Sequence, residues 1–331
     1  MSEQSQAHPF NKLTPDFILD AIEALGFYSD GRILTLNSYE NRVYQIGIEE
    51  QQPIIAKFYR PERWTQEQIL EEHEFTTELA ESELPVVAPL SLHSKTLFEY
   101  DGFYYALYPR KGGHAPELDD LDSLFTLGRF IGRIHALGEI KPYQFRPSLT
   151  VETFGQQSFE YLMEHAVPRE YHLPYRTLAE DILKEVNRQW QEVGELDYIR
   201  THGDCHIGNI LWRDDNPHFV DFDDSRMAPA VQDLWMLLSG ERPQKLSQIA
   251  EIIEGYEEFQ KFPAKQLKLI EPLRTLRMFY HSAWLAKRWS DPAFQQAFPW
   301  FDSIRYWEEQ ILDLRSQFAE LQEPTLELPN L

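Results

Sequence analysis

The hydrophobic pattern of the chain changes near residue 109, and this change limits the folds that it can adopt. Before that point, short apolar runs are typical of β-strands, and Asp101-Gly102 favours a tight hairpin between the last two. The capping pair Thr65 and Gln68 starts a helix that reaches about Glu81, after the third strand. The predicted strands are 33–36, 42–48, 54–59, 96–100 and 103–108. The first third therefore predicts a small antiparallel sheet with one inserted helix.

Residues 109–116 contain two prolines and two glycines, which predict a hinge. Beyond it the periodicity is mostly helical, with short strand-like pieces near residues 199–200, 210–212 and 218–220. The predicted helices are 123–137, 150–165, 175–193, 231–238, 247–259, 267–289 and 303–321. We therefore predict an α+β fold with two lobes, 1–108 and 109–331. A cleft between two lobes is a common place for small ligands.

Composition narrows the classes of partner. The chain has 331 residues and a formal net charge of −23, which argues against binding to nucleic acid or anionic membranes. Its one cysteine, Cys205, excludes an intrachain disulfide and fits a reducing compartment. Met1–Phe10 lacks the features of a signal peptide, and no run is long enough to span a membrane. We expect a cytoplasmic protein.

The richest motif runs from His202 to Asn209 with the sequence HGDCHIGN, and a second acidic segment begins at Asp221 with DFDD. Phosphoryl transfer needs a carboxylate near the attacking hydroxyl and oxygen ligands for the metal ion that bridges the phosphates. Asp204 is suited to the first role, and Asn209 with Asp221 to holding Mg²⁺. Each residue alone could simply cap a turn. The joint spacing favours the chemical interpretation.

These motifs resemble the protein-kinase-like superfamily, in particular its aminoglycoside- and choline-kinase-like branch. That branch has H-G-D in its catalytic loop and a D-x-D segment where protein kinases have D-F-G. The resemblance implies a bilobal kinase fold in which Asp204 and Asp221 are catalytic and Asn209 and Asp221 bind the metal. It also implies that Asp223 is a further candidate for contact with the metal or a water, and that Asp233 braces the catalytic loop.

Lys57 lies in the apolar run 54–58 and is predicted to reach the phosphates of ATP. Such a lysine needs a carboxylate partner on the following helix, where Glu71, Glu72 and Glu74 are the candidates. The superfamily pattern selects Glu72, although the residues by themselves leave the choice open. Lys57 could instead extend from a sheet edge to solvent.

The loop before Lys57, residues 36–43, has no G-x-G-x-x-G pattern. Glycines therefore cannot be the reason that its backbone comes close to a phosphate. We predict that the Ser38 hydroxyl, backbone N–H groups and Asn41 contact phosphate; the alternative is a turn that only covers the cleft. Adenine is expected at the hinge backbone, residues 108–110. Cys205 adjoins the catalytic aspartate, so the thiol is either reactive or simply buried.

Longer blocks resemble the bacterial stress response kinase A family. They are residues 37–44, 57–64, 68–73, 203–213, 229–236 and 291–294. The resemblance implies a cytoplasmic serine/threonine protein kinase that uses ATP and Mg²⁺ in stress response and cell survival. The alternatives are a small-molecule kinase for an amino alcohol or aminoglycoside, which an acidic cleft would suit, and a nucleotide-binding regulator without catalysis.

Overall fold

The computed structural model describes residues 9–328, and its contacts divide the chain into two compact units. The first unit is built on a five-stranded antiparallel sheet in the order β1-β2-β3-β5-β4. Its strands are β1 (Ser29–Thr35), β2 (Arg42–Ile48), β3 (Ile54–Phe58), β4 (Phe98–Tyr100) and β5 (Phe103–Pro109). The predicted small antiparallel sheet is confirmed.

Two α-helices lie among the described residues of this sheet unit. Helix α1 (Pro15–Glu23) starts at the Thr14 cap, and its apolar face lies in the core that covers one side of the sheet. Helix α2 (Gln66–Glu81) follows β3 and begins with the predicted capping box, in which Thr65 and Gln68 bond each other's backbone N–H. The sheet and α2 together set the position of Lys57 and the glutamates that follow it.

A distant hairpin completes the same unit, which runs up to Ala115 and also includes Asn209–Asp223. Three strands come late in the chain. The first, β6 (Ile199–Thr201), belongs to the second unit, whereas β7 (Ile210–Arg213) and β8 (Asn216–Phe219) pair with each other and form the hairpin. Phe219 N–H donates to Pro85 O at 2.8 Å, and Val87 N–H donates to Phe219 O at 3.0 Å. These bonds fix the hairpin beside the segment that follows α2. The lobe limits given from the sequence remain a prediction.

The second unit comprises Pro116–Gly208 and Asp224–Leu331 and is mainly helical. In it β6 pairs antiparallel with β9 (Arg226–Ala228). Its helices are α3 (Leu121–Gly138), α4 (Gln157–His165), α5 (His172–Val193), α6 (Arg242–Tyr256), α7 (Ile270–Arg288), α8 (Pro292–Ala297) and α9 (Ile304–Glu320). The predicted bilobal α+β kinase-type fold agrees with this content of a sheet unit and a helical unit.

Helices α3 and α6 approach so closely that glycine is required where they cross. A Cβ atom at Gly128 would lie 2.0 Å from Ile252 O, and one at Gly255 would lie 2.0 Å from Phe125 O. Any larger residue would force the two backbones apart. This contact anchors α3, which carries His135 toward the catalytic loop.

The helix predicted over 231–238 is wrong. The structure has two short 3-10 turns instead, Ala230–Asp233 and Trp235–Leu237. Nearly every residue there is buried, so the apolar run has no polar face that would have marked its true period. Side-chain hydrogen bonds hold this segment where a helix would have backbone hydrogen bonds. One of them joins Gln232 Nε2 to Gly203 O at 2.9 Å. Within residues 9–328, no helix combines the length and the apolar character needed to cross a bilayer.

Candidate active site

Lys57 lies on β3 between β2 and β5, and its side chain is buried. Its Nζ lies 2.8 Å from Asp221 Oδ1 and 3.1 Å from Asp223 Oδ1. Burial by itself would lower the pKa of Lys57, but the charges of Asp221 and Asp223 outweigh it and raise that pKa well above its ordinary value. The lysine is therefore a fixed positive charge beside two carboxylates, and not a side chain that extends from the sheet to solvent.

The two predicted metal ligands lie at the open end of the β7–β8 hairpin. Asn209 directly precedes β7, and Asp221 comes two residues after β8. Val220 N–H donates to Asn209 O at 3.0 Å and so extends the strand pairing toward both residues. Asp221 has a φ of 59°, a left-handed conformation that aspartate adopts more readily than most residues, and its side chain is half exposed.

The donor atoms of Asn209 and Asp221 fit Mg²⁺. An amide oxygen and a half-exposed carboxylate are hard oxygen ligands of the kind that this ion prefers. Across residues 9–328, no three His, Cys, Asp or Glu side chains assemble into a metal-binding cluster. Mg²⁺ suits so small a protein donor set, because it usually retains waters and takes phosphate oxygens beside one or two carboxylates.

Asp223 is buried and surrounded by donors. Its Oδ2 accepts a hydrogen bond from Asn41 Nδ2 at 3.1 Å and forms an ion pair with Arg63. Its Oδ1 lies 3.1 Å from Lys57 Nζ. The resemblance implied contact with a metal or a water at this position. The structure places Asp223 at the junction of β3, the loop before β2 and the segment after β3, where it pairs with Lys57 and Arg63. The implied contact with a metal or a water stays a prediction.

The loop between β1 and β2 is held by side chains and not by glycines. Asn41 is 3% exposed, and its Oδ1 accepts a hydrogen bond from Arg60 N–H at 3.0 Å. Arg60 Nε also donates to Glu40 O at 2.9 Å. Asn41 thus joins the loop to the chain beyond β3 on one side and to Asp223 on the other. This explains how the loop can be ordered without a Gly-rich sequence.

Ser38 lies in the middle of this loop and is partly exposed. No side chain or backbone group in the described chain forms a hydrogen bond with its hydroxyl. The hydroxyl is therefore available to a ligand, which is consistent with the predicted contact to phosphate and does not test it.

Glu72 is the buried member of the three candidate glutamates. It is 2% exposed, whereas Glu71 is half-buried and Glu74 is exposed. Its negative charge also acts to raise the pKa of Lys57, after the opposing effect of burial and the larger contributions of Asp221 and Asp223. The structure does not bring Glu72 within ion-pair distance of Lys57; the ammonium group lies beside Asp221 and Asp223 instead.

The loop predicted to be catalytic includes residues 202–204 of the helical unit. Gly203 has a φ of 85°, and a Cβ atom there would lie 2.1 Å from Asp224 O, so only glycine fits. Asp233 accepts hydrogen bonds from His202 N–H at 2.6 Å and Gly203 N–H at 2.9 Å. Its Oδ2 also lies 2.9 Å from His135 Nε2 on α3. Asp233 therefore braces the loop, as the resemblance implied.

The carboxylate of Asp204 contacts two basic side chains. Its Oδ1 lies 2.6 Å from Arg277 Nη1 on α7, and its Oδ2 lies 3.5 Å from His206 Nε2. Burial tends to raise the pKa of Asp204, but His206 and the Arg277 charge outweigh it and hold that pKa below the ordinary range. The residue predicted as the base is thus ionised and ready to accept a hydrogen bond from a hydroxyl.

The neighbours of Asp204 have distinct roles. His206 Nδ1 accepts a hydrogen bond from Gly208 N–H at 2.9 Å and so helps to hold the loop. Cys205 is 1% exposed, and burial, together with the charges of Asp233 and Asp204, raises the pKa of its thiol. Of the two alternatives for Cys205, the structure favours the buried thiol.

Sequence reasoning missed two cations. It gave no role to Arg63, which pairs with Asp223, or to Arg277, which pairs with Asp204. Arg277 lies 73 positions after Asp204 on a helix whose pattern only predicts a core face, so no local signal marks it. Arg63 follows β3 at a position that reads as an ordinary surface turn.

The candidate residues thus form two groups. Lys57, Asn209, Asp221 and Asp223 belong to the sheet unit, with Ser38 and Glu72, whereas Asp204 and its partners belong to the helical unit. In the first group the structure brings Lys57 together with Asp221 and Asp223. In the second it joins Asp204 to His206 and Arg277.

Comparisons with known proteins agree with the motifs. Residues 32–269 match the family described as Phosphotransferase enzyme family, APH. Stress response kinase A of Escherichia coli (strain K12) is 43% identical over 326 residues, which cover 98% of both sequences. Serine/threonine protein kinase RdoA of Salmonella typhimurium (strain LT2) is 42% identical over 323 residues, which cover 97% of this chain and 98% of its own. The predicted resemblance is confirmed.

Solved structures agree on the fold. An amicoumacin kinase, hAmiN, in complex with AMP-PNP, Ca²⁺ and Ami has a TM-score of 0.72 and 18% identity, covering 94% of this chain and 95% of its own. A microcompartment-associated aminopropanol kinase has a TM-score of 0.68 and 19% identity, covering 91% and 95%. At such low identity these similarities describe the architecture alone.

Proposed function

Since the chain belongs to the Phosphotransferase enzyme family, and within it to the stress response kinase A family, we propose that it is an ATP- and Mg²⁺-dependent serine/threonine protein kinase. That it is a kinase-type phosphotransferase follows from this membership. The proposal concerns the donor, the metal and the acceptor. The observation that best supports the proposal is the 2.8 Å contact between Lys57 Nζ and Asp221 Oδ1. It puts the cation assigned to the phosphates beside the aspartate assigned to the metal.

The sheet unit supplies the nucleotide side of the reaction. Asn209 and Asp221 would hold Mg²⁺, which supplies positive charge that neutralises the phosphates during transfer. Lys57 binds the phosphate oxygens, and the nearby Glu72 helps to keep its ammonium group charged. Ser38 and the loop backbone donate hydrogen bonds to the phosphates. Asn41 and Asp223 hold that loop in place.

The helical unit supplies the acceptor side. Asp204 accepts the hydrogen bond of the attacking hydroxyl, orients its oxygen toward phosphorus and takes its proton as the bond forms. Because the pKa of Asp204 is below its ordinary range, the carboxylate is a weak base. Orientation of the hydroxyl is therefore its larger contribution. Asp233 fixes the backbone from which Asp204 projects.

A protein acceptor is supported by the relatives and not by the site geometry. RdoA of Salmonella typhimurium is named a serine/threonine protein kinase, and it is similar to this chain over nearly the whole length of both. The name stress response kinase A supports a role in stress response. The proposed part in cell survival and the cytoplasmic location rest on the resemblance of the sequence blocks alone.

The second candidate is a kinase for an amino alcohol or aminoglycoside. The formal net charge of −23 favours a cationic acceptor, and an aminopropanol kinase shares the fold. The Arg277 guanidinium, 2.6 Å from Asp204, opposes it by repelling a cation at the point of transfer. A regulator without catalysis is disfavoured because Lys57, Asp204, Asn209 and Asp221 are all present.

Radiolabel transfer distinguishes these functions. The purified protein is incubated with γ-labelled ATP and Mg²⁺, with a generic protein acceptor in one series and a panel of amino alcohols in another. We expect label on serine or threonine of the protein, no transfer after chelation of Mg²⁺, and no transfer by Asp204→Ala. Label only on an amino alcohol would establish the second candidate, and no label on either, with intact ATP binding, would favour the regulator.

A further inference from the structure

Arg277 has more hydrogen-bonding capacity than the chain uses. Its Nη1 lies 2.6 Å from Asp204 Oδ1, and its side chain is 38% exposed. A guanidinium has five N–H donors arranged in a planar fork. In the part of the chain that the structure describes, the ion pair with Asp204 is the one polar contact of this group. The other donors are therefore open to a ligand that approaches Asp204.

His281 lies one turn farther along α7 and so on the same face as Arg277. Its side chain is exposed, and no group among residues 9–328 forms a hydrogen bond with its imidazole. Although solvent reaches the ring, desolvation by the surrounding protein and the charge of Arg277 lower the pKa of His281 to about 4. A neutral imidazole presents one N–H donor beside the cation. Both residues thus offer donors to an anion.

The long-range field of the chain opposes such an anion, because the formal net charge is −23. At physiological ionic strength, however, exposed charges farther apart than about 8 Å are largely screened. The nearest charges therefore decide what can dock at Asp204, and these are the Arg277 guanidinium and the Asp204 carboxylate whose charge it compensates. A guanidinium pairs with a carboxylate or phosphate in two parallel hydrogen bonds, whereas it repels a lysine or an amine.

We propose that Arg277, with His281 beside it, recognises an anionic group on the acceptor, and that this acceptor is a peptide segment with an acidic side chain next to its serine or threonine. The inference rests on the proposed function, because it takes Asp204 as the residue that receives the hydroxyl. It makes Arg277 a residue that determines specificity.

The docking has a consequence for transfer. When the acidic side chain of the acceptor pairs with Arg277, the guanidinium shifts away from Asp204 Oδ1, and that oxygen can accept the hydrogen bond of the hydroxyl. The hydroxyl oxygen then bonds to the γ-phosphorus while the bond from that phosphorus to the bridging oxygen of ADP breaks. The hydroxyl proton passes to Asp204 and is later released to water. The Arg277 contact thus favours transfer to acceptors that carry the matching anion.

Three serine peptides of equal length test this, with glutamate, glutamine or lysine on both sides of the serine. The values of kcat/KM are compared in wild type, Arg277→Gln, Arg277→Lys and the control Lys287→Gln, which removes one positive charge from an exposed position of the same helix. We expect wild type and the control to prefer the glutamate peptide over the glutamine peptide by about tenfold, the size of one charge-assisted hydrogen bond. In Arg277→Gln the ratio should approach one, and Arg277→Lys should retain part of it.

A binding measurement makes the test independent of turnover. The same peptides with alanine in place of serine are titrated into the protein with AMP-PNP and Mg²⁺, and fluorescence anisotropy gives the Kd. Tighter binding of the glutamate peptide that is lost in Arg277→Gln supports the anion site even where no peptide is phosphorylated. Equal binding of all three peptides, or an unchanged preference in Arg277→Gln, overturns it.

Two small acceptors distinguish a failure of the inference about Arg277 from a failure of the proposed protein kinase function. Glyceric acid has a hydroxyl beside a carboxylate, and ethanolamine has a hydroxyl beside an amine. Transfer to glyceric acid but to no peptide would overturn both the peptide acceptor and the protein kinase assignment. Transfer to ethanolamine or to the lysine peptide in preference to the others would overturn the role of Arg277 itself.

Discussion

Asn41 Nδ2 donates a hydrogen bond to Asp223 Oδ2 at 3.1 Å and so joins two residues that lie 182 positions apart in the chain. Through this contact the loop before β2 is held to the segment that follows Asp221. Arg63 and Lys57 contact the same carboxylate, and all four side chains are largely buried. Asp223 therefore stabilises the part of the sheet unit that we assign to the nucleotide before any ligand binds.

The first prediction concerns stability. Asp223→Ala removes the nearer carboxylate of Arg63 and one of the two carboxylates beside Lys57, which keeps Asp221 at 2.8 Å, so the free energy of unfolding should fall by about 3 kcal/mol. Urea denaturation in the presence of a chelator measures it without metal or nucleotide. The matched control is Asp197→Ala, an exposed position in the loop between α5 and β6 without a left-handed backbone, and its effect should stay within about 0.5 kcal/mol. An unchanged midpoint for Asp223→Ala would return this residue to the role of a metal or water contact.

The second prediction separates chemistry from nucleotide binding. Asp204→Ala removes the group that orients and deprotonates the hydroxyl, so phosphate transfer should fall by at least about a hundredfold. ATP affinity should change little, because the residues assigned to phosphate and metal belong to the other unit. Single-turnover labelling and equilibrium titration with a fluorescent ATP analogue measure the two quantities. A large loss of ATP affinity in this variant would contradict the division of roles.

The third prediction follows from the Arg277–Asp204 ion pair. In wild type the pKa of Asp204 lies below its ordinary value of 3.8, so protonation of this residue does not limit activity near neutral pH. Arg277→Gln removes a cation that favours the carboxylate, so the pKa of Asp204 should rise. Since the protonated form is inactive, the acid-side fall in kcat/KM should move to higher pH. Because the acid limb of wild type lies below about pH 4, single-turnover profiles of wild type, Arg277→Gln and Lys287→Gln must extend from about pH 3 to about pH 8; a limb that does not move to higher pH in Arg277→Gln would exclude electrostatic control by Arg277.

Local signals predicted most of the fold. The strand runs of the first third, the Thr65 capping box and the loop aspartates all depend on neighbours within a few residues, and the structure has the sheet, the helix and the loop that they predicted. The pairing of Lys57 with Asp223 and of Asp204 with Arg277 could not be predicted, because each joins residues far apart in the chain. The 3-10 turn at Ala230–Asp233 was also missed. Because the whole segment is buried, its sequence lacks the alternation of apolar and polar residues that distinguishes an α-helix.

The fourth prediction concerns Cys205. Its thiol is buried, and burial together with the charges of Asp233 and Asp204 raises its pKa, so little reactive thiolate forms near neutral pH. Iodoacetamide should therefore alkylate the native protein at less than about a tenth of the rate seen after unfolding in urea. Mass spectrometry of timed samples gives both rates. Rapid alkylation of the native protein that Mg-ATP slows would instead support a reactive thiol beside the nucleotide.

The fifth prediction is that no priming phosphorylation switches the enzyme on. Protein kinases that are switched in this way have a long hydroxyl-containing segment after the metal-binding aspartate, where phosphate pairs with arginine. In this chain the segment from Asp221 to β9 is short, and Ser225 is its one hydroxyl residue. Ser225 Oγ is fully buried, donates to Thr201 O at 2.6 Å and lies 2.7 Å from Tyr143 OH, so a phosphate would have to break both contacts.

Phosphatase treatment should therefore leave the activity of the purified protein unchanged. Ser225→Ala should keep full activity per folded molecule and lose about 2 kcal/mol of stability, because two buried hydrogen bonds are lost at about 1 kcal/mol each. Activity is assayed after the phosphatase has been removed, and thermal denaturation gives the stability. If dephosphorylation and Ser225→Ala both silenced the enzyme while the variant stayed folded, the buried serine would have to become accessible, and regulation would act at this segment. With activity unchanged, control must lie in the amount of protein or in access of the acceptor to Asp204.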